Sequence, residues 1–154
     1  NLTNFTGSPY ADYLLTKADP TEEDVRNAMD LIRLSEDQFV HWDYPADSLG
    51  FKDRVTPCVN EQYMFEVPID ASTADVCDGY LALYEYNKAP LALAKATALL
   101  NALTRAQDPV TGQMPTSLQY TGGRDQNAED FWLNCSWWSA KALLRLDAIL
   151  NQDK

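Results

Sequence analysis

Two carboxylates occupy the positions in this chain where chemistry is most easily done. One is Glu61, inside the Val59–Asp70 stretch VNEQYMFEVPID; the other is Asp125, in a second irregular segment. Tyr63 and Phe65 follow Glu61 closely and offer both a stacking platform and a low-dielectric wall. A carboxyl group held against such a wall keeps its proton to higher pH and can act as an acid, while a second carboxylate takes the complementary part. The same residues also have a purely local reading, in which Glu61 accepts backbone amides of its own loop and Asp125 leads into a helix cap. His41, Trp42, Tyr44 and Tyr63, with Arg124, crowd these segments and are the candidate binding residues. Their rings suit the apolar face of a ligand and suit equally well the plugging of helix ends. His41 is the only histidine; it is either a base near neutrality or a hydrogen-bonded structural residue. His41 and Cys58 lack metal-ligand spacing, so no metal is expected. Gly122-Gly123-Arg124 is too short for a phosphate loop and follows no strand, and no cofactor signature is present.

The loops holding these residues are long, and loops beyond about a dozen residues in a compact domain are usually functional or disordered. This one carries too many large apolar side chains for disorder. With 154 residues, 45% hydrophobic and 23% charged, the chain has the size and balance of one ordinary globular domain. Its net charge of −11 argues against nucleic acid and anionic membrane surfaces, which need clustered Lys and Arg. No apolar run approaches a membrane span, and the N-terminal residues show no signal peptide. Cys58, Cys77 and Cys135 are odd in number and widely spaced, so no disulfide framework is expected.

The elements that must position the loops are helices. Asp19-Pro20-Thr21-Glu22-Glu23-Asp24 reads as a helix start, with a capping side chain, a first-turn proline and acids at the positive dipole end. Val25, Met29, Ile32 and Phe39 then recur at helical spacing to about Val40, and a short helix is expected before them over 9–16. The next helix is predicted after Asp70, capped by Ser72 with Asp75 three residues on. Asp75 and Asp78 are read there as acids favoured by the dipole, and Gly79 as a point of close helix approach. Pro90 opens a third helix that stops near Asp108-Pro109, where Asp108 to Gly112 has turn chemistry. The last helix is expected from about Asn127 to Leu150. Its apolar residues run so far around, with Trp132, Trp137, Ala140 and Leu144 added to the main stripe, that burial on most sides is predicted. Strand signals are few, a short extended piece within Val55–Met64 apart. The class is all-α, as antiparallel helical hairpins.

The short Asn87–Ala89 link makes its two helices antiparallel. If direction alternates throughout, the long loops over 41–70 and 108–126 share one end of the array, and the aromatic and acidic residues gather there.

Several stretches carry a resemblance. SEDQFVHWDYP (Ser35–Pro45) resembles a helix entering a cleft loop in (α/α)-toroid carbohydrate-active enzymes of the six-hairpin glycosidase-like superfamily. The stretch CVNEQYMFEVPIDASTADVCDGYLALYEY is similar to a substrate-side loop running into an inner helix. LALAKATALLNALTRAQDPVTGQMPT and EDFWLNCSWWSAKALLRL resemble an outer helix with its turn and the next inner helix. The resemblance spans about Thr21 to Leu150. It implies a partial toroid, part of a larger ring, since a full ring holds six hairpins. It also implies an oligosaccharide or polysaccharide substrate, hydrolysis by paired carboxylates (Glu61 and Asp125), and a periplasmic or extracellular location. The alternative is a non-catalytic hairpin module that binds carbohydrate or protein. A sugar epimerase would typically use histidines as acid and base, and this chain has one. An incomplete ring leaves an apolar helix face bare, so a homo-oligomer through exposed helix faces is expected.

Overall fold

The computed structural model describes residues 4–42, 57–62, 65–118 and 132–152. Five helices dominate them: α1 (Asn4–Thr16), α2 (Glu22–Phe39), α3 (Asp70–Asn87), α4 (Pro90–Ala106) and α5 (Leu133–Asn151). The helical class stands. To it is added a small antiparallel sheet in the order β1 (Val40–His41), β2 (Cys58–Gln62), β3 (Phe65–Pro68). Of the extended piece expected from Val55 to Met64, the described part is β2.

α3 is the central element. It packs on α1, α4 and α5, with a lighter contact to α2. Thirteen consecutive residues of it, Asp70 to Ala82, are buried. A helix buried all round need not alternate apolar and polar faces, provided its polar groups find partners inside. Tyr80 and Leu81 anchor the core with Phe39 of α2 and Leu99, Leu100 and Leu103 of α4. Where α1 and α2 close on α3, small residues meet. A Cβ at Gly79 would stand 3.5 Å from Ile32 and 3.7 Å from Ser8, and one at Gly7 would stand only 2.9 Å from Ser35 Oγ. Ser8 Oγ donates to Ser35 Oγ at 3.1 Å in the same seam. This close packing carries α1 back to Asn4, past the Pro9 start expected for it.

Three helix starts differ from expectation, each for a local reason. α2 is capped by Thr21, not Asp19: Thr21 and Asp24 form a reciprocal capping box, and Pro20 lies outside the helix. Hydrogen bonds from Lys17 and then Thr21 hold the Asp24 carboxyl down at about 2. α3 starts two residues before Ser72, which is buried within the helix rather than capping it. Ile69 is the cap residue and supplies no side-chain bond; instead the Ala71 N–H donates to Asp70 Oδ1 at 2.8 Å, and Thr73 Oγ1 donates to Ile69 O at 3.0 Å. α5 starts at Leu133 rather than near Asn127 because Trp132 is extended, its N–H donating to Thr116 Oγ1 at 2.9 Å.

Turns follow their chemistry. Lys88 takes the left-handed conformation that ends α3, donating its N–H to Tyr84 O at 2.7 Å, and Pro90 opens α4. Asp108 Oδ1 accepts from the N–H groups of Val110 and Thr111, both at 2.8 Å, and Gly112 has φ 73°.

α5 is buried on one side only. Cys135, Ser139, Ala142, Leu146 and Ile149 face α3. Leu133 (85% exposed), Trp137 (69%) and Leu144 (69%) form a bare outward ridge, and Trp132 is exposed beside them. Apolar breadth therefore did not mean burial on most sides, because among the described residues no element covers the outer face of α5.

Candidate functional site

Both long connections reach the same end of the helices, where the sheet meets the start of α3. The Ile69 N–H donates to Val59 O on one side, while a bridge joins Ile69 to Ser117 on the other. The Asp70 N–H donates to Thr116 O at 3.0 Å, and the Leu118 N–H donates to Pro68 O at 2.9 Å. The segment after α4 is thus stitched to the segment before α3.

Of the candidate site residues, Glu61, His41 and Trp42 are described; Tyr44, Tyr63, Arg124 and Asp125 lie outside the described residues. Glu61 is half-buried in β2, opposite an irregularity in the sheet. Asn60 pairs with Pro68 while Gln62 pairs with Phe65, so Glu66 and Val67 together oppose Glu61. Such bulges re-aim side chains and are frequent beside active sites. His41, at the edge in β1, is hydrogen-bonded through Nε2 to the side-chain amide of Asn60 at 2.8 Å. Asn60 is buried, and its Oδ1 has no hydrogen-bond partner among the described residues.

Trp42 belongs to a different cluster. Its Nε1–H donates to Glu36 Oε1 at 3.2 Å, and Lys95 Nζ lies 5.7 Å from the ring centroid. Glu36 also accepts from Lys95 at 2.5 and 2.6 Å and from the Tyr80 hydroxyl at 2.7 Å. Burial alone would raise the Glu36 carboxyl; the bonds from Lys95, Tyr80 and Trp42 hold it below its ordinary value. This network ties α2, α3 and α4 together while leaving Trp42 37% exposed.

Asp70 was passed over in the sequence because it reads as the last loop residue before a helix. It is fully buried, and burial pushes its carboxyl up to about 7 against the lowering bonds from Ala71 N–H and Ser139 Oγ, the latter at 3.2 Å. Asp75 is also buried and pushed up to about 7, first by burial and then by Asp78. The dipole reading of Asp75 and Asp78 is therefore corrected. Both lie beyond the first turn of α3 and are buried against α5, where Asp78 meets Arg145 at 3.1 Å and Lys141 at 3.5 Å.

Cys135 connects the groups. Its thiol is pushed up to about 11 by burial and then by the negative charges of Asp70, Glu61 and Asp75, in that order. Three carboxyl groups from β2 and α3 therefore lie within electrostatic reach of one side chain at the start of α5. Cys58, Cys77 and Cys135 are all buried. Among the described residues no cluster of His, Cys, Asp and Glu is arranged to hold a metal ion, and no helix is long and apolar enough to cross a membrane. The chain matches no protein-family profile, no curated protein and no solved structure.

Proposed function

We propose that this chain is part of a glycan-processing protein of the (α/α)-toroid kind, and that it takes part in glycoside hydrolysis. The observation supporting this reading most directly is the stitching of both long connections at the start of α3, which brings β2 with Glu61 to the end where buried Asp70 accepts from Ser139 of α5. Hydrolysis of a glycosidic bond uses two carboxyl groups in different environments, one protonated and one ionised. Glu61, half-buried opposite a bulge, is the carboxylate assigned to the substrate, and Asp125 is its proposed partner. Asp70, fully buried at the start of α3, is assigned a positioning role rather than a catalytic one. His41, Trp42, Tyr44, Tyr63 and Arg124 are proposed to bind the sugar. The test is the release of reducing ends from an oligosaccharide panel. Glu61→Gln is expected to lower kcat by about 10²–10⁴ with KM little changed. Full activity in that variant would remove Glu61 from the chemistry.

The second reading, a carbohydrate- or protein-binding module without turnover, is favoured by the depth of Asp70 and Asp75, which are 0% and 2% exposed. Binding with no hydrolysis under any condition would select it.

We also propose that the chain self-associates through α5. A two-fold axis between Ala140 and Lys141 sets Trp137 of one copy across from Leu144 of the other in antiparallel fashion. Burying each large side chain of the ridge contributes roughly 1.5–3 kcal/mol, enough in sum to offset part of the association cost. Light scattering at micromolar concentration is expected to show a dimer that Leu144→Glu returns to monomer. A wild-type monomer would refute the pairing.

A further inference from the structure

A groove of about 410 Å³ runs between the turn after α4 and the N-terminal half of α5, within the roughly 300–1,000 Å³ typical of small-molecule sites. Among the described residues no charged one lines it, on a chain with a net charge of −11. Its walls instead carry neutral hydrogen-bonding groups of both senses. Gln107 uses Nε2 to donate to Gly112 O at 2.6 Å, so its Oε1 is left to accept. Gln113 uses Oε1 to accept from Thr111 Oγ1 at 3.4 Å, so its Nε2 is left to donate. The Ser136 hydroxyl does either. Met114 and Leu143 supply apolar surface between them. Ser139 also lines the groove, and its hydroxyl donates to Asp70 Oδ2.

We infer that this groove binds a neutral saccharide unit and discriminates against acidic sugars. The inference rests on the glycan reading above and adds to it a subsite and a substrate class. Adjacent ring hydroxyls each donate and accept, matching the acceptor of Gln107, the donor of Gln113 and the hydroxyl of Ser136, while ring C–H faces meet Met114 and Leu143. Among the described residues an anionic sugar finds no cation on these walls, and it meets the repulsion of the chain's net charge. Ser139 joins the groove wall to Asp70 by one hydrogen bond.

The experiment titrates the whole chain with neutral gluco-, manno- and xylo-oligosaccharides and with uronate oligomers of equal length, using wild type, Ala140→Trp and Gln113→Leu. Ala140 lines the groove from an exposed position on α5, so the larger side chain fills the space without entering the core. Neutral oligomers are expected to bind at least about tenfold more tightly than uronates, and each variant to weaken that binding by about tenfold or more with an unchanged melting temperature. Neutral binding that both variants leave intact overturns the groove while sparing the glycan reading. Preference for uronates overturns the substrate class. Absence of binding to any glycan overturns both.

Discussion

Acidifying the protein from about pH 8 to about pH 5 is expected to raise its urea midpoint, the reverse of the usual acid loss of stability. Asp70 and Asp75 titrate at about 7 in the fold against 3.8 for an unhindered carboxyl. The folded chain therefore binds more protons than the unfolded chain between these values, and stability rises as pH falls through 7. The contribution is complete below 3.8 and is lost as pH climbs through the folded value. A shift of this size corresponds to on the order of 4 kcal/mol per group at its limit, large beside a domain stability of about 5–15 kcal/mol. Asp24, held down to about 2, and Glu36, held below its ordinary 4.5, act in the opposite sense and take stability away at lower pH. The optimum is therefore expected at about pH 4. Asp75→Asn should raise the midpoint at pH 8 and flatten the profile. A profile that falls steadily from pH 8 to pH 5 would show that these carboxyls are ionised in the fold.

Replacing Arg145 is expected to be the most damaging single change to stability. Its guanidinium donates to Glu85 Oε2 at 2.6 and 3.2 Å, to Asp12 at 2.8 Å and to Asp78 at 3.1 Å, joining α5 to α1 and α3. Removing it leaves Asp78 buried with only Lys141 at 3.5 Å, and breaking a buried pair from one side costs about 3–5 kcal/mol. Arg145→Met should show that loss by chemical denaturation at pH 8, and Arg145→Lys a smaller one, because an ammonium cannot reproduce the paired bonds to Glu85. Adding Asp78→Asn to Arg145→Met should recover part of it. A loss below about 1 kcal/mol would mean that the network behaves as a solvated surface pair.

Much of the fold was legible because periodicity reports which residues share a helix face. Val25, Ile32 and Phe39 marked α2, and Leu100 and Leu103 marked α4, as residues of one face. Periodicity does not report what covers that face, so Trp137 and Leu144 read as buried and are exposed. The start of α3 was misread because Asp70-Ala71-Ser72-Thr73-Ala74-Asp75 is polar enough to pass for a cap and a solvated first turn; its burial depends on Thr116 and Ser139, far along the chain. The Glu36 network is invisible for the same reason, since Lys95 lies fifty-nine positions away. At the candidate site the sequence singled out Glu61 through its aromatic neighbours. Asp70 and Asp75 gave no such signal, because their raised protonation comes chiefly from burial, with Asp78 adding to it at Asp75.

The most direct test of the central claim, that the loop-bearing end receives a glycan, is amide chemical-shift mapping during titration with a neutral oligosaccharide. Saturable shifts are expected, confined to residues 58–62, 107–118 and 132–143, with the opposite turn at 87–89 unmoved. Saturable shifts centred on 87–89, or none at any ligand concentration, would contradict it.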